Sequence, residues 1–282
     1  MSLRCHKTLA VLALLLLSLA PSTAPAAQGQ WGGFIYLFPK SGVELTEEWK
    51  RDLAALTEQA AQSFTNDFLP AQSGPENILY IKTVRYTMSG KPLAPQPLGV
   101  IRVESMDRGK IDGFYQAFRN AAEHRLDLKI IYGVTSELRY TDAATLERLK
   151  QNAPQRGSGF EQPNAVVFPL SKSQAWWGLP LDQRQAYFFQ HPERFGAAHE
   201  GHNEIGFRYI QKIFRKLYQS RFIDGESDFV TYFEYADRDR EVFTSLLEGL
   251  RDTERNPEWK FVEEAPIVYG TRVQGLVELL KD

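Results

Sequence analysis

The amino-acid sequence predicts an α+β fold made of two successive copies of one topology. Three observations lead there. Short alternating or β-branched runs are separated by segments whose apolar residues recur every three or four positions. The order strand, helix, strand, strand, helix, strand is met twice. The two passes are divided by a polar stretch, 136–162, carrying Pro154, Gly157 and Gly159. That order is the split βαβ, or ferredoxin-like, unit. Two such sheets packed face to face would form a barrel-like domain, in effect a dimeric α/β barrel within one chain.

In the first pass, Gly32 to Phe38 (GGFIYLF) is a β-rich run, and Glu44 to Phe64 places Leu45, Trp49, Leu53, Leu56 and Ala60 at helical spacing. A loop at 71–76 leads into a strand from Ile78 to Tyr86. Pro92, Pro95 and Pro97 mark a turn, Leu98 to Glu104 is a third strand, and Ile111 to Glu123 is a helix with Phe114 and Phe118 one turn apart. Leu128 to Thr135 closes the pass, and the polar stretch after it holds a short helix near Leu146. In the second, Ala165 to Leu170 is a strand. Leu181 to Tyr209 is helical, interrupted around His191-Pro192 and Gly196. Lys216 to Phe222 and Phe229 to Glu234 are strands joined by Asp224-Gly225. Glu241 to Leu250 is a helix with one apolar face, and Pro266 to Val273 is the last strand. The halves are thus 27–162 and 163–282.

The first 26 residues stand apart. Arg4 and Lys7 precede the apolar run Leu9 to Ala20, and Ala24-Pro25-Ala26 offers small residues for cleavage, the pattern of a secretory signal. The run is too short to serve as a stable membrane anchor. Cleavage would remove Cys5, the one cysteine, and would leave an exported, periplasmic protein without disulfides or thiolate ligands. Candidate metal ligands are then four histidines, carboxylates and tyrosines. Thirty-three basic against thirty-five acidic residues give no electrostatic footprint for nucleic acid, so the partner expected is a small molecule.

Chemistry concentrates between Ala198 and Phe233. His202 shares a helical face with Ile205, Gly206, Tyr209 and Ile213, where it is either a satisfied core residue or a ligand. Gly206 costs about 1 kcal/mol inside a helix and lets a flat group approach the backbone. Haem, often held by a histidine, is such a group. If the helix ends near Phe214, Arg215 opens a strand and alternates inward with Leu217, while Thr231 and Phe233 share a face of the next strand. A guanidinium among them is unfavourable without an anion. The alternative is a surface arginine paired with Glu234 or Asp228. Trp176 and Trp177, downstream of Lys172, suit core packing or the walls of a flat cofactor.

Taken in order, Lys172-Ser-Gln-Ala-Trp176-Trp177, His202-x3-Gly206-x2-Tyr209, Arg215-Lys-Leu217-Tyr218-x-Ser220 and Asp228-Phe229-Val230-Thr231-Tyr232-Phe233-Glu234 resemble the chlorite dismutase family. The resemblance spans Val167 to about Gly270, and the half from Gln28 to Glu161 matches in topology only. It implies a haem b protein, usually a pentamer, that converts chlorite to chloride and dioxygen. By position it implies His202 as the proximal iron ligand and Arg215 as the distal arginine. Leu217, Thr231 and Phe233 would complete the distal wall, Trp176 and Trp177 would flank the haem, and Lys172 would contact a propionate. A carboxylate hydrogen-bonded to the proximal histidine is implied near Glu254, where it would orient the ring. The interval from Trp177 to His202 is longer than the family pattern, and His191 stands where the shorter spacing would put a ligand. A coproheme decarboxylase and a haem-binding protein without turnover are the competing readings.

Overall fold

The computed structural model describes residues 29–61, 78–135, 141, 143–152, 160–223 and 225–281. The leader, the loop at 71–76, the last turn of the first predicted helix and Asp224 lie outside them. The first half runs β1 (Trp31–Pro39), α1 (Glu47–Ala61), β2 (Ile78–Met88), β3 (Lys91–Pro92), β4 (Gly99–Ser105), α2 (Arg108–Ala122) and β5 (Leu126–Thr135). After α3 (Ala143–Asn152) come β6 (Asn164–Lys172), α4 (Gln174–Gly178), α5 (Leu181–Ala186), α6 (Pro192–Phe195), α7 (His202–Phe207), β7 (Ile213–Gln219) and β8 (Phe229–Tyr235). The chain ends with α8 (Arg240–Arg251), β9 (Val262–Glu264), β10 (Ile267–Val273) and α9 (Leu276–Leu279).

Each half has the ferredoxin-like strand order. The first reads β2-β4-β1-β5 and the second β7-β8-β6-β10, all pairs antiparallel. The two sheets join by their edges rather than face to face. β5 pairs with β7 through Val134↔Gln219 and Thr135↔Tyr218, and β10 pairs with β2 from Ile267↔Thr87 to Val273↔Tyr80. Eight strands therefore close into a ring, which removes the unpaired edges that an open sheet would expose.

The helices cover the outside of this ring. Asp107 caps α2 by accepting from the Gly109 N–H at 2.8 Å, and Ile111, Phe114 and Phe118 then pack on Ile35, Leu37, Ile101 and Val103. In the second half Phe243, Leu246, Leu247 and Leu250 of α8 pack on Val166, Phe168, Phe233 and Ile267. Burying a side chain of this size is worth about 1.5–3 kcal/mol.

Strand alternation sends the other residues inward, where the ring holds Phe34, Val100, Val167, Tyr218, Val230 and Tyr232. Among them lies a buried charge cluster. Lys216 Nζ donates to Glu104 Oε1 at 2.6 Å, the Tyr218 hydroxyl donates to the same oxygen, and Arg102 Nη2 stands 3.1 Å from Glu104 Oε2. Because Lys216 and Tyr218 of β7 are tied inward, Arg215, Leu217 and Gln219 face out of the ring, not inward as the sequence suggests. The register of β7 is thus set by a salt bridge that costs several kcal/mol to break from one side.

The helical stretch expected over 181–209 is broken into three pieces. Pro192 starts α6, and Gly196 and Gly201 sit at φ +100° and +90°. A Cβ on Gly201 would fall 2.8 Å from the Phe189 carbonyl carbon. His202 therefore begins a short helix, and its face is not shared with Ile213, which belongs to β7.

Candidate functional site

The outward faces of β6, β7 and β8 meet α4, α5 and α7 across a cleft. Its cavity volume is about 160 Å³, and the space continues open to solvent at the mouth. The strand wall supplies Leu170, Lys172, Arg215, Leu217, Gln219, Phe229 and Thr231. The helical wall supplies Trp176, Trp177, Leu181, Arg184, Phe188 and His202, and the turn at Pro257–Phe261 adds Glu258 and Trp259.

His202 is brought here by the backbone of α7. Its N–H donates to the Tyr187 carbonyl and that of Asn203 to the Phe188 carbonyl, both at 3.1 Å, so α7 folds back on the end of α5. The ring packs 5.1 Å from Phe188. Its Nδ1 lies 3.2 Å from Glu258 Oε2, while Lys172 Nζ donates to Glu258 Oε1. Burial, with help from Arg215 and Lys172, holds His202 well below the usual imidazole range. A neutral ring that donates Nδ1–H to Glu258 keeps its lone pair on Nε2, the nitrogen able to bind a metal. Burial also pushes the Lys172 ammonium well down, and the Asp228 carboxylate acts against that.

Arg215 faces this histidine's cavity from the strand wall. Its Nε is buried and finds no hydrogen-bond partner among the described residues. Burial lowers its pKa to about 10, which leaves it charged at neutral pH. The two carboxylates proposed as surface partners are engaged elsewhere. Glu234 accepts from the Tyr232 hydroxyl at 2.5 Å and faces Arg272 at 3.7 Å inside the ring. Asp228 accepts from the Lys172 N–H at 2.8 Å and from Trp177 Nε1 at 2.9 Å. A guanidinium held in this way is a site for an anion.

Trp176 is buried between Tyr187, Phe188 and Phe261, with ring centroids 5.5–6.2 Å away. Trp177 stacks on Phe229 at 6.2 Å and carries Arg221 on its ring at 3.5 Å. The pair forms a rigid aromatic corner of the cleft.

Three sequence expectations are corrected. Glu254 is exposed and spends its N–H on Asp252 Oδ1 at 3.0 Å; the carboxylate at His202 is Glu258, four residues on. The loop after α8 and the turn at Pro257 decide that register, and neither leaves a periodic signal. Phe233 points into the core, 5.3 Å from Phe243, and Phe229, two residues before Thr231, lines the cleft instead. Gly206 does not line the cleft, and a Cβ there would meet nothing within 4 Å. His191 is also outside it, with Nδ1 on Glu193 at 2.9 Å. Arg184 and Phe188 line the cleft without having been singled out, because a helical wheel over the broken segment assigns faces that the breaks rearrange.

No group of three or more His, Cys, Asp or Glu able to hold a metal occurs among the described residues. A metal at His202 must bring its other ligands with it, as a macrocycle does. The apolar and aromatic walls and the single neutral imidazole suit such a planar group.

Comparison with known proteins agrees with this architecture. The chlorite dismutase family model matches residues 100–273. A variant chlorite dismutase from Candidatus Nitrospira defluvii in complex with cyanide superposes with a TM-score of 0.64 at 21% identity, covering 90% of this chain and 95% of that one. The chlorite dismutase of the same organism in complex with imidazole gives 0.63 at 22%, with the same coverage. No curated protein matches the chain.

Proposed function

The chain belongs to the chlorite dismutase family, and from that membership we propose that it is a haem b enzyme converting chlorite to chloride and dioxygen. The observation that carries the reading is the pairing of two walls. A neutral His202 tied to Glu258 stands on the helical side, and Arg215, without a carboxylate partner, stands on the strand side.

Haem iron, when bound, supplies the oxidation and reduction by which the two oxygens of chlorite leave as dioxygen. The protein's residues bind and confine. Lys172 and Glu258 hold His202 in one tautomer and raise its basicity as a ligand. Arg215 would hold the chlorite anion by charge and by several donors and would keep it confined in the cleft. Leu217, Thr231 and Phe229 exclude water around it. The net reaction moves no proton, so the strand wall needs no general acid; beside Arg215 it carries the neutral polar groups of Thr231 and Gln219, and its Lys172 is engaged with Glu258.

Export to the periplasm after loss of the leader at 1–26, and assembly into a homo-oligomer, belong to the same proposal. Arg4 and Lys7 ahead of the apolar run Leu9 to Ala20, with small residues at Ala24-Pro25-Ala26, support the first. Haem-loaded protein supplied with chlorite in an oxygen electrode tests the activity. Release of one dioxygen per chlorite is expected. Haem-loaded protein that evolves no oxygen would refute it and leave haem binding or peroxidase-like chemistry.

A further inference from the structure

The cleft contains a second arginine that the proposed reaction does not use. Arg184, on α5, lines the cleft, and its Nε is buried without a hydrogen-bond partner among the described residues. Its guanidinium carbon lies 5.4 Å from the centre of the Trp177 ring. Arg221 lies against the same indole, at 3.5 Å, but its charge is matched by Asp228 at 3.7 Å. Arg184 has no carboxylate within 4 Å among the described residues. Leu181, one turn before it, also lines the cleft and is 61% exposed, which puts this part of α5 at the mouth.

The charge of the lining points the same way. Arg184 and Arg215 are set against one lining carboxylate, Glu258, which is spent on Lys172 and His202. Arg215 lies within the cleft and Arg184 at its mouth. A planar ligand with an apolar centre and carboxylates on one edge buries the centre and leaves the charged edge at the mouth, because an unpaired buried carboxylate is prohibitively unfavourable. The backbone fixes the position of Arg184. Its carbonyl accepts from the Tyr187 N–H at 3.2 Å, and the Tyr187 carbonyl accepts from the His202 N–H at 3.1 Å, so α5 and the iron-binding candidate are one framework.

We propose that Arg184 binds a carboxylate on the edge of the porphyrin and so fixes which edge of the ring lies at the cleft mouth. This rests on the haem reading above. Arg184 acts before any turnover, as a determinant of which porphyrin is held and in which orientation.

The test titrates apo-protein with haem and with haem dimethyl ester, whose carboxylates are blocked, for the unmodified chain, Arg184→Gln and Arg184→Lys, with circular dichroism to establish folding. The unmodified chain is expected to prefer haem over the diester by tenfold or more, the scale of one charge-assisted hydrogen bond. Arg184→Gln should lose about tenfold of that preference with diester affinity unchanged, and Arg184→Lys should keep most of it. Arg184→Gln weakening both porphyrins equally, or neither, overturns the proposal. An altered KM for chlorite with both porphyrin affinities unchanged assigns Arg184 to the incoming anion and overturns it as well. Failure of the unmodified chain to bind either porphyrin defeats the haem reading itself, a result distinct from haem bound without regard to Arg184.

Discussion

Glu258 is shared between two side chains: its Oε2 lies 3.2 Å from His202 Nδ1, and its Oε1 accepts from Lys172 Nζ. Removing this carboxylate frees the imidazole to rotate and to change tautomer. Glu258→Ala is expected to lower haem affinity 10- to 100-fold, the range for losing the orienting partner of a metal ligand. Glu254→Ala, on an exposed residue, should leave haem affinity unchanged. Absorbance titration of both variants decides which carboxylate serves the histidine.

Arg215 should separate binding from turnover. Arg215→Ala is expected to load haem normally and to lower the rate of oxygen release by about 10²–10³-fold, the effect of deleting one preorganised electrostatic contact. Arg215→Lys should recover part of this, since lysine restores the charge but not the planar fork. Equal oxygen yields in all three proteins would remove Arg215 from the reaction.

Two phenylalanines on β8 have different work. Phe233→Ala empties a core position beside Phe243 and should cost about 3–5 kcal/mol in denaturant unfolding, with the haem spectrum of folded protein unchanged. Phe229→Ala, on the cleft wall beside Trp177, should alter that spectrum with a smaller loss of stability.

Glu104 couples the ring interior to pH. Burial raises its pKa, but Arg102 and Lys216 outweigh burial and the net shift is downward from 4.5. A depressed carboxylate contributes stability that is present above the unfolded value and is lost as pH falls through the folded one. Glu104→Gln should therefore be less stable at pH 7 by about 3–5 kcal/mol, and its deficit should shrink as pH drops below 4.5. Unfolding midpoints measured from pH 7 to 3 give the slopes. A constant gap across that range would show that Glu104 carries no such linkage.

That Arg215 and Leu217 share one face of β7 was legible in the sequence because a period of two is a short-range property; that this face points out of the ring was not, since it depends on Lys216 and Tyr218 being tied to Glu104 inside. His202 was legible through its companions, although the long helix they suggested does not exist. Gly196 and Gly201 adopt positive φ and end it, and composition alone does not show which glycines will do so. Glu258 lay beyond reach because it is placed by a loop and a single turn whose lengths carry no period. Phe233 was assigned to the cleft because alternation gives its face of β8, while the position of α8 decides which part of that face is core. Closure of the ring by β5–β7 and β10–β2 depends on edge pairing between distant segments, so the topology of each half was readable and the manner of their joining was not.

The central claim is that His202 holds haem in the cleft between α7 and β7. The most direct measurement is the absorption spectrum of haem-reconstituted protein beside His202→Ala and His191→Ala. A histidine-ligated haem spectrum is expected for the unmodified chain and for His191→Ala, and its loss or conversion in His202→Ala. An unchanged spectrum in His202→Ala, with the loss seen in His191→Ala instead, would contradict it.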